Sequence, residues 1–244
     1  MVGQPITALA RGLKVLEVLS RANGAMGNGQ LARATGLPPS TVSRLTDSLV
    51  QLGYLRQSQE SGAYVLTPKN LRLGYPVLAN LPIAGRAQKA IDALADETGM
   101  TTALAVRDDL HVAFLVVSRP RRARAVPLSV GGRLPISVSA AGIAFLRSMT
   151  EPMKGRATTA VRKDLTQRGQ PVEDFDRRLT EPESRAYVSL RSWHSDVGGV
   201  ATAFHAGGEL YALSLVAYTE ELQRTDIDGS LVPLLLETTD ELAD

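Results

Sequence analysis

The sequence of 244 residues contains no cysteine and only three histidines. Without cysteine, the chain has no disulfide, no thiolate nucleophile and no cysteine-based zinc site. The histidines never occur at the i, i+4 spacing that puts two metal ligands on one helix face, and the sequence lacks both a Gly-x-Ser-x-Gly elbow and a phosphate-cradling glycine-rich loop. We therefore expect no metal, no cofactor and no catalytic residues, so the protein is not expected to be an enzyme.

Long hydrophobic runs are also missing. No apolar stretch approaches the roughly 18 residues that a membrane span needs, and the first seven residues lack the basic start and apolar run of a signal peptide. An apolar content of 44% with 21% charged residues is typical of globular folds. We expect a cytoplasmic protein with no membrane partner, long enough for two domains.

Charge is divided unevenly along the chain. Residues 1–75 carry eight Lys and Arg against three Asp and Glu, a net +5, whereas the remaining 19 Lys and Arg and 22 Asp and Glu give −3. This asymmetry indicates that the N-terminal part meets a polyanion and that the larger part does something else. Chance scatter of charges is the alternative.

The stretch "GQLARATGLPPSTVSRLTDSLVQLGYL", residues 29–55, predicts two helices joined by a tight turn. A short helix over about Gln30 to Thr35 ends at Gly36, and two prolines suit the first turn of a second helix over about Pro39 to Leu52. Two helices joined in this way form a helix-turn-helix, whose second helix enters the DNA major groove. Apolar residues spaced by three and four predict one buried stripe on this second helix, made of Val42, Leu45, Leu49 and Leu52.

The residues predicted to face DNA are short hydroxyl side chains, which allow close approach, and an arginine that can fork onto a guanine or a phosphate. Asp47 would either position that arginine or accept a hydrogen bond from cytosine. Other basic residues would contact phosphates. The predicted DNA-binding residues are Arg11, Pro39, Ser40, Thr41, Ser43, Arg44, Asp47, Arg56 and Lys69. The alternatives are an ordinary solvated face, or a module that contacts only protein or RNA.

A hairpin follows, with strands Tyr54 to Gln57 and Tyr64 to Thr67, and it is expected to form a wing. A linker helix is predicted from Pro68. Beyond it, helices and strands alternate and predict an α+β domain with an antiparallel sheet flanked by helices. The predicted elements are a helix over "AGRAQKAIDALADETGM", strands in "TTALAVRDD" and "HVAFLVVSR", a short strand around Ala125 to Val130, a helix from about Ala140, a weaker helix around Pro171 to Leu179, a strand pair around Gly207-Gly208, and a helix from Ile227 to Leu242.

The sequence resembles the IclR family of bacterial transcription regulators along nearly its whole length. The resemblance is carried, in family order, by "ARGLKVLEVL" (10–19), "LARATGLPPSTVSRLTDSLVQLGYL" (31–55), "ESGAYVLTPKNLRLG" (60–74), "GGRLPISVSAAGIAFL" (131–146) and "GGVATAFHAGGELYALSL" (198–215). The chain departs from the family pattern at Asn28 and Gly29, where a looser start of the second helix is expected. It also departs at Ser137, Ile143 and Val216, which make the presumed effector cavity less polar.

The resemblance implies three regions: a winged helix-turn-helix DNA-binding domain over 1–67, a linker helix over 68–82 and a GAF-like effector-binding domain over 83–244. It also implies a homo-oligomer, either a dimer or a dimer of dimers, that binds a double-stranded DNA operator. A small-molecule effector would control this binding. In the family, such effectors are often small organic or aromatic acids.

The predicted effector site lies at the N-terminus of the helix that starts near Ala140. Unpaired backbone N–H groups and the positive helix end favour a carboxylate, and small side chains leave room for it. An ordinary capped helix, and a serine bonded internally in its strand, are the alternatives. The predicted effector-binding residues are Ser137, Ser139, Ala140, Ala141, Trp193 and Ser214. A separate basic run, "SRPRRARA" (118–125), is either a solvated loop or a contact for an anion or a second subunit.

Overall fold

The computed structural model describes residues 6–22, 24–121, 124–180, 186–194 and 196–243, with the backbone alone at 191–194. The chain divides into two compact units, Met1–Asn80 and Leu81–Asp244. None of the helices in the described ranges combines the length and the apolar character that a bilayer span requires.

The first unit is a winged helix-turn-helix followed by one further helix, as predicted. Its elements are α1 (Thr7–Arg21), α2 (Asn28–Thr35), α3 (Pro39–Gln51), β1 (Leu55–Gln57), β2 (Tyr64–Leu66), a 3-10 turn (Pro68–Asn70) and α4 (Leu71–Ala79). Gly36 ends α2 with a left-handed φ of 69°, and Pro39 occupies the first turn of α3. The tight turn between the two helices is therefore confirmed.

The start of α2 differs from the prediction. The helix begins at Asn28, two residues before the expected Gln30, and its start is not loose. The reason is a local cap, because the side-chain oxygen of Gln30 accepts a hydrogen bond from the N–H of Gly27 at 2.8 Å. Asn28 is thereby fixed at the first helical position, beside α3.

The core of this unit lies between the three helices and the wing, in a cluster that includes Val15, Leu31 and Val42. The predicted buried stripe of α3 is wrong at one position. Leu52 is 60% exposed, whereas Thr46 is fully buried. Because α3 ends at Gln51, Leu52 lies past the last helical residue, and the hydroxyl of Thr46 is satisfied within the helix by donating to the carbonyl of Val42 at 3.0 Å.

The wing is a short antiparallel hairpin in which Leu55 pairs with Leu66 and Gln57 with Tyr64. Met26, just before α2, forms an isolated bridge with Tyr64, with backbone hydrogen bonds of 3.0 and 2.9 Å. The hairpin is thus held to the segment that leads into α2. The helix predicted from Pro68 begins as the 3-10 turn and becomes α-helical at Leu71.

The second unit contains a six-stranded sheet with helices. Its elements are α5 (Pro82–Thr98), β3 (Thr101–Asp108), β4 (His111–Ser118), β5 (Arg133–Pro135), α6 (Ala140–Ser148), α7 (Met153–Gln167), α8 (Val172–Thr180), β6 (Val188–His194), β7 (Val197–Ala206), β8 (Glu209–Tyr218), α9 (Thr219–Arg224), a π-helical turn (Ile227–Leu231) and α10 (Val232–Leu242). The strands run in the order β5-β4-β3-β8-β7-β6, and every neighbouring pair is antiparallel. This confirms the predicted α+β class.

Helix α6 packs on the sheet in a core that includes Ala103, Ala105 and Ala212, and helices α7 and α8 complete that layer. Helices α5 and α10 contact each other and the strands β3, β4, β7 and β8. The strand pair β7 and β8 turns at Gly207 and Gly208, both with positive φ, as the sequence predicted.

The strand predicted around Ala125 to Val130 is wrong. The strand of this region lies at Arg133–Pro135, where Val112 of β4 pairs with Leu134. The earlier segment is held by side chains instead, since the hydroxyl of Thr101 donates to the carbonyl of Val126 at 3.0 Å. Pro127 within this segment has no N–H to donate to a ladder.

Candidate nucleic-acid interface and effector site

Helix α3 presents one face to solvent, and the predicted DNA-contacting residues lie on it. Ser40, Arg44 and Asp47 are exposed and follow one another at spacings of four and three, so their side chains share that face. Thr41 and Ser43 are half-buried at its edges, and Pro39 is exposed at its N-terminal end. The opposite face carries Val42, Thr46 and Leu49 into the core. The structure therefore brings the polar residues of α3 together on one surface.

The N-terminal end of α3 is electrostatically suited to an anion. Its first turn contains no acidic residue. The partial positive charge of the helix end is therefore not neutralised by the chain locally. A phosphate group can approach this end without meeting a carboxylate in the first turn.

One residue of this surface escaped the sequence prediction. Asn28, at the first position of α2, donates a hydrogen bond from its side-chain amide to the hydroxyl of Ser43 on α3. The two residues lie fifteen positions apart, so helical periodicity gives no sign of the contact. The only signal in the sequence was the departure from the family pattern at Asn28.

The basic residues outside α3 are placed differently from one another. Arg11 is exposed on α1, and Arg56 is exposed on the wing strand β1, where it pairs with Val65. Lys69 follows the wing and donates a hydrogen bond from its ammonium to the carbonyl of Leu52 at 2.7 Å. Arg11 and Arg56 thus extend into solvent, while Lys69 folds back on the C-terminal end of α3.

The predicted effector residues at the start of α6 are buried together. Ser139 caps the helix, because its hydroxyl accepts from the N–H of Gly142 and donates to the carbonyl of Pro135, both at 3.1 Å. Ala140 and Ala141 are 5% and 4% exposed, and the carbonyl of Ser137 accepts a hydrogen bond from Arg178 at 3.2 Å. This end of α6 is therefore buried, and these polar groups are hydrogen-bonded within the protein.

Ser214 lies on β8, next to Ala103 of β3, and it is 3% exposed. Its hydroxyl donates to the carbonyl of Ala103 at 3.2 Å, which is the internally bonded arrangement that the sequence left open. Trp193 lies in strand β6, and its side chain falls outside the described part of the chain.

A cavity of about 570 Å³ opens elsewhere in the second unit, between α6, α7, α10 and the strands β6 and β7. Its polar side chains include Arg147, Lys154 and Thr202. Of the six predicted effector residues, none is among the described residues that line this cavity. Sequence reasoning missed it because the cavity joins segments from Ala144 to Asp240 that are remote along the chain.

The basic run is dispersed onto the second unit. Arg119 donates to the carbonyl of Leu128 at 2.7 Å, Arg121 pairs with Asp96 at 3.3 Å, and the guanidinium of Arg124 lies 3.9 Å from the centroid of the Tyr218 ring. Arg122 lies outside the described residues. The three described arginines therefore have separate partners and do not converge on one point. Within the described ranges, no cluster of three His, Asp or Glu side chains is arranged to hold a metal ion.

Two family models match the chain in sequence order. The "IclR helix-turn-helix domain" matches residues 8–59, and "Bacterial transcriptional regulator IclR C-terminal" matches residues 75–243. The first covers the three helices α1 to α3 and the first wing strand β1, and the second covers the unit with the six-stranded sheet.

Individual relatives agree with these matches. The HTH-type transcriptional regulator TsaQ1/TsaQ2 of Comamonas testosteroni is 32% identical, over 97% of this chain and 88% of that protein. The crystal structure of an IclR family transcriptional regulator from Brucella abortus is 33% identical with a TM-score of 0.77, over 99% of this chain and 94% of that one. An IclR homolog from Microbacterium hydrocarbonoxydans, solved with 4-hydroxybenzoate, has a TM-score of 0.67 at 23% identity, over 97% of each chain.

These relatives are transcriptional regulators and not enzymes. The family matches cover most of the chain, and the winged helix-turn-helix and the helix-flanked sheet described above are the two parts that they identify. The chain belongs to the IclR family of transcriptional regulators, with a helix-turn-helix DNA-binding domain and an IclR-type effector-binding domain.

Proposed function

We propose that this regulator recognises a specific double-stranded DNA operator through the solvent face of α3, and that a small-molecule effector controls that binding. The observation that carries the proposal is the division of α3 into two faces. Val42, Thr46 and Leu49 are buried, while Ser40 and Arg44 face solvent. A helix of this kind enters the major groove with its N-terminal residues at base edges. Because bacterial DNA lies in the cytoplasm, operator binding would take place there.

The residues of α3 would have separate roles. Arg44 would donate two hydrogen bonds to one guanine or one phosphate, and Asp47 would hold that arginine or accept from a cytosine. Pro39, Ser40, Thr41 and Ser43 would allow the helix to approach closely. Arg11, Arg56 and Lys69 would contact phosphates, which strengthens binding to all sequences alike.

The three regions of the chain would have separate functions. Residues 1–67 would bind DNA, 68–82 would connect, and 83–244 would bind the effector. Regulation requires the effector to bind the DNA-competent and incompetent arrangements with unequal affinity. The net charge of +5 on residues 1–75 and of −3 on the remainder is consistent with this division, because only the first part faces a polyanion.

We infer that the chain acts as a homo-oligomer, a dimer or a dimer of dimers. Helix α4 exposes several large apolar side chains, with Leu71 70% and Tyr75 71% exposed. Helix α1 exposes Leu9 and Leu13. Apolar surfaces of this kind indicate protein contacts. A twofold dimer would present two copies of α3 to half-sites about one helical turn, roughly 34 Å, apart or at multiples of it.

The effector would be a small organic or aromatic carboxylate bound at the N-terminal end of α6. Ser139 already accepts from the N–H of Gly142, but no described residue accepts from the N–H groups of Ala140 and Ala141, whose side chains are small. The Microbacterium relative crystallised with 4-hydroxybenzoate supports this class of ligand. Ser137, Ser139, Ser214 and Trp193 complete the proposed effector residues. The cavity beside Arg147 and Lys154 is the second candidate position.

The proposal is tested by two measurements on the purified protein. Selection from a randomised DNA duplex library should enrich one sequence with approximate twofold symmetry, and a thermal-shift screen of small carboxylates should find a stabilising ligand. A ligand at 100 times its Kd stabilises by about 2.7 kcal/mol. If the ligand binds at the N-terminal end of α6, Ala140→Phe should abolish the thermal shift. If it occupies the cavity instead, Ala203→Phe should abolish the shift. Failure to enrich any DNA sequence would refute operator recognition.

A further inference from the structure

Asn28 and Ser43 connect the start of α2 to the solvent face of α3. The side-chain nitrogen of Asn28 lies 2.5 Å from the hydroxyl oxygen of Ser43, and it donates the hydrogen bond. Ser43 lies next to Arg44 and is half-buried at the edge of the face proposed to contact DNA. Asn28 therefore contacts a residue of the proposed DNA surface without belonging to α3.

The direction of this hydrogen bond determines what the Ser43 hydroxyl can do. Two other hydroxyls of α3 are used up inside the helix, because Thr46 donates to Val42 and Ser48 donates to the carbonyl of Arg44 at 2.9 Å. The Ser43 hydroxyl accepts from Asn28, and it donates to none of the described residues. A serine that accepts one hydrogen bond still has its own proton to give. Ser43 is therefore available as a donor.

The other half of the Asn28 amide is costly for the fold. Its side-chain oxygen is buried and accepts no hydrogen bond from any residue in the described ranges. A buried acceptor without a partner destabilises the folded state, and an apolar side chain of the same size would avoid this cost. The amide is therefore poorly explained by stability alone, and its one hydrogen bond, to Ser43, points to a role at the DNA surface.

The same segment also fixes the wing. Met26, two residues before Asn28, exchanges two backbone hydrogen bonds with Tyr64 of β2. Gln30 caps the N–H of Gly27 between them. The backbone just before Asn28 is thus held by Tyr64 and Gln30, which limits where the Asn28 side chain can lie.

We propose that Asn28 is a positioning residue for base selectivity. By occupying one lone pair of the Ser43 oxygen, it turns the Ser43 proton outward to a hydrogen-bond acceptor on a base edge in the major groove. Guanine, adenine and thymine present such acceptors there. The inference rests on the proposed recognition of DNA by α3, and it adds a residue of α2 to the determinants of sequence preference.

The test compares base preferences of variants by selection from a randomised duplex library, followed by fluorescence anisotropy with the enriched duplex and its single-base variants. Asn28→Leu and Ser43→Ala should lose preference at the same base pair, by about 3- to 10-fold, which is the effect of one hydrogen bond. The double variant should be no worse than either single variant. Asn28→Asp should lose the same preference, because a carboxylate accepts the Ser43 proton.

Two controls separate this role from a structural one. Gln30→Glu adds the same negative charge as Asn28→Asp, at the same end of α2, and keeps the hydrogen bond that caps Gly27. It should therefore retain the wild-type base preference. Asn28→Leu should melt at or above the wild-type temperature, because it removes the unpartnered acceptor. A loss of preference in a variant of undiminished stability supports positioning.

Other results would overturn the inference. If Asn28→Leu keeps the wild-type preference while Ser43→Ala changes it, Ser43 acts without Asn28. If the two losses multiply in the double variant, the residues act independently. If both variants weaken all duplexes alike, the contact is to phosphate. If the wild type enriches no sequence, operator recognition itself fails, and the inference fails with it.

Discussion

Lys69 donates a hydrogen bond to the carbonyl oxygen of Leu52 at 2.7 Å, and its ammonium nitrogen lies 4.7 Å from the centroid of the Tyr54 ring. The lysine therefore ties the segment after the wing to the C-terminal end of α3. A cation at this end of a helix interacts favourably with its partial negative charge. The end of the proposed recognition helix is stabilised by a residue outside it.

The first prediction concerns this lysine. Lys69→Met should lower the free energy of unfolding by about 0.5 to 1 kcal/mol, because it removes the interactions with Leu52 and Tyr54. The measurement is urea denaturation followed by circular dichroism. Lys14→Met, at an exposed position of α1, is the control and should change stability by less than about 0.5 kcal/mol. Equal effects of the two variants would show that the Lys69 contacts contribute nothing.

The second prediction concerns the buried side of α3. Leu49→Ala should destabilise the protein by about 2 to 4 kcal/mol, because it leaves a cavity where the side chain is only 9% exposed. Leu52→Ser should stay within about 0.5 kcal/mol of wild type, since Leu52 faces solvent. Urea denaturation measures both. A large loss of unfolding free energy in Leu52→Ser would show that Leu52 is part of the core.

This pair also indicates how far the sequence could predict the fold. The apolar periodicity correctly predicted α3 and three of its inward-facing residues. It wrongly predicted that Leu52 is buried, because Leu52 is apolar, and it did not predict the burial of Thr46, because Thr46 is polar. Leu52 is exposed because the helix ends before it, and Thr46 can be buried because its hydroxyl is hydrogen-bonded within the helix. The spacing of apolar residues shows neither cause. The turn at Gly36 was predictable because glycine and proline limit the backbone directly.

In the second unit, α7 was missed for a related reason. Its buried side includes Ala157 and Thr158, which carry little apolar signal, beside Val161 and Leu165. The strands β3, β4, β7 and β8 were predictable because their apolar runs are long and bounded by turn residues. The candidate effector site depends on how distant segments pack, so the sequence indicated the end of α6 but not the cavity near Arg147.

The third prediction compares two helical glycines. An added Cβ at Gly142 would lie 2.4 Å from the carbonyl oxygen of Ile136, whereas one at Gly85 of α5 would meet nothing within 4 Å. Gly142→Ala should therefore destabilise the protein by about 1 to 3 kcal/mol. Gly85→Ala should stabilise it by about 0.5 to 1 kcal/mol, because alanine favours the helix. Thermal unfolding distinguishes the two, and a neutral Gly142→Ala would contradict the close packing at the start of α6.

The fourth prediction concerns salt. If Arg56 neutralises one phosphate, Arg56→Gln should reduce the slope of log affinity against log salt concentration by about one, and leave the ratio of specific to non-specific binding unchanged. Arg107→Gln in the second unit removes the same charge from an exposed position and should leave the slope as in wild type. Fluorescence anisotropy titrations between about 50 and 200 mM salt provide the comparison. Equal slopes in all three proteins would remove Arg56 from the DNA contacts.

Arg44, on the solvent face of α3, is the residue on which sequence recognition depends most. The direct test is the affinity ratio between the enriched duplex and a scrambled duplex at fixed salt. Arg44→Ala should reduce this ratio by about 5- to 150-fold, since one bidentate base contact is worth about 1 to 3 kcal/mol of discrimination. Arg33→Ala, which removes an exposed arginine from α2, should leave the ratio unchanged. A wild-type ratio in Arg44→Ala would contradict sequence recognition by this face of α3.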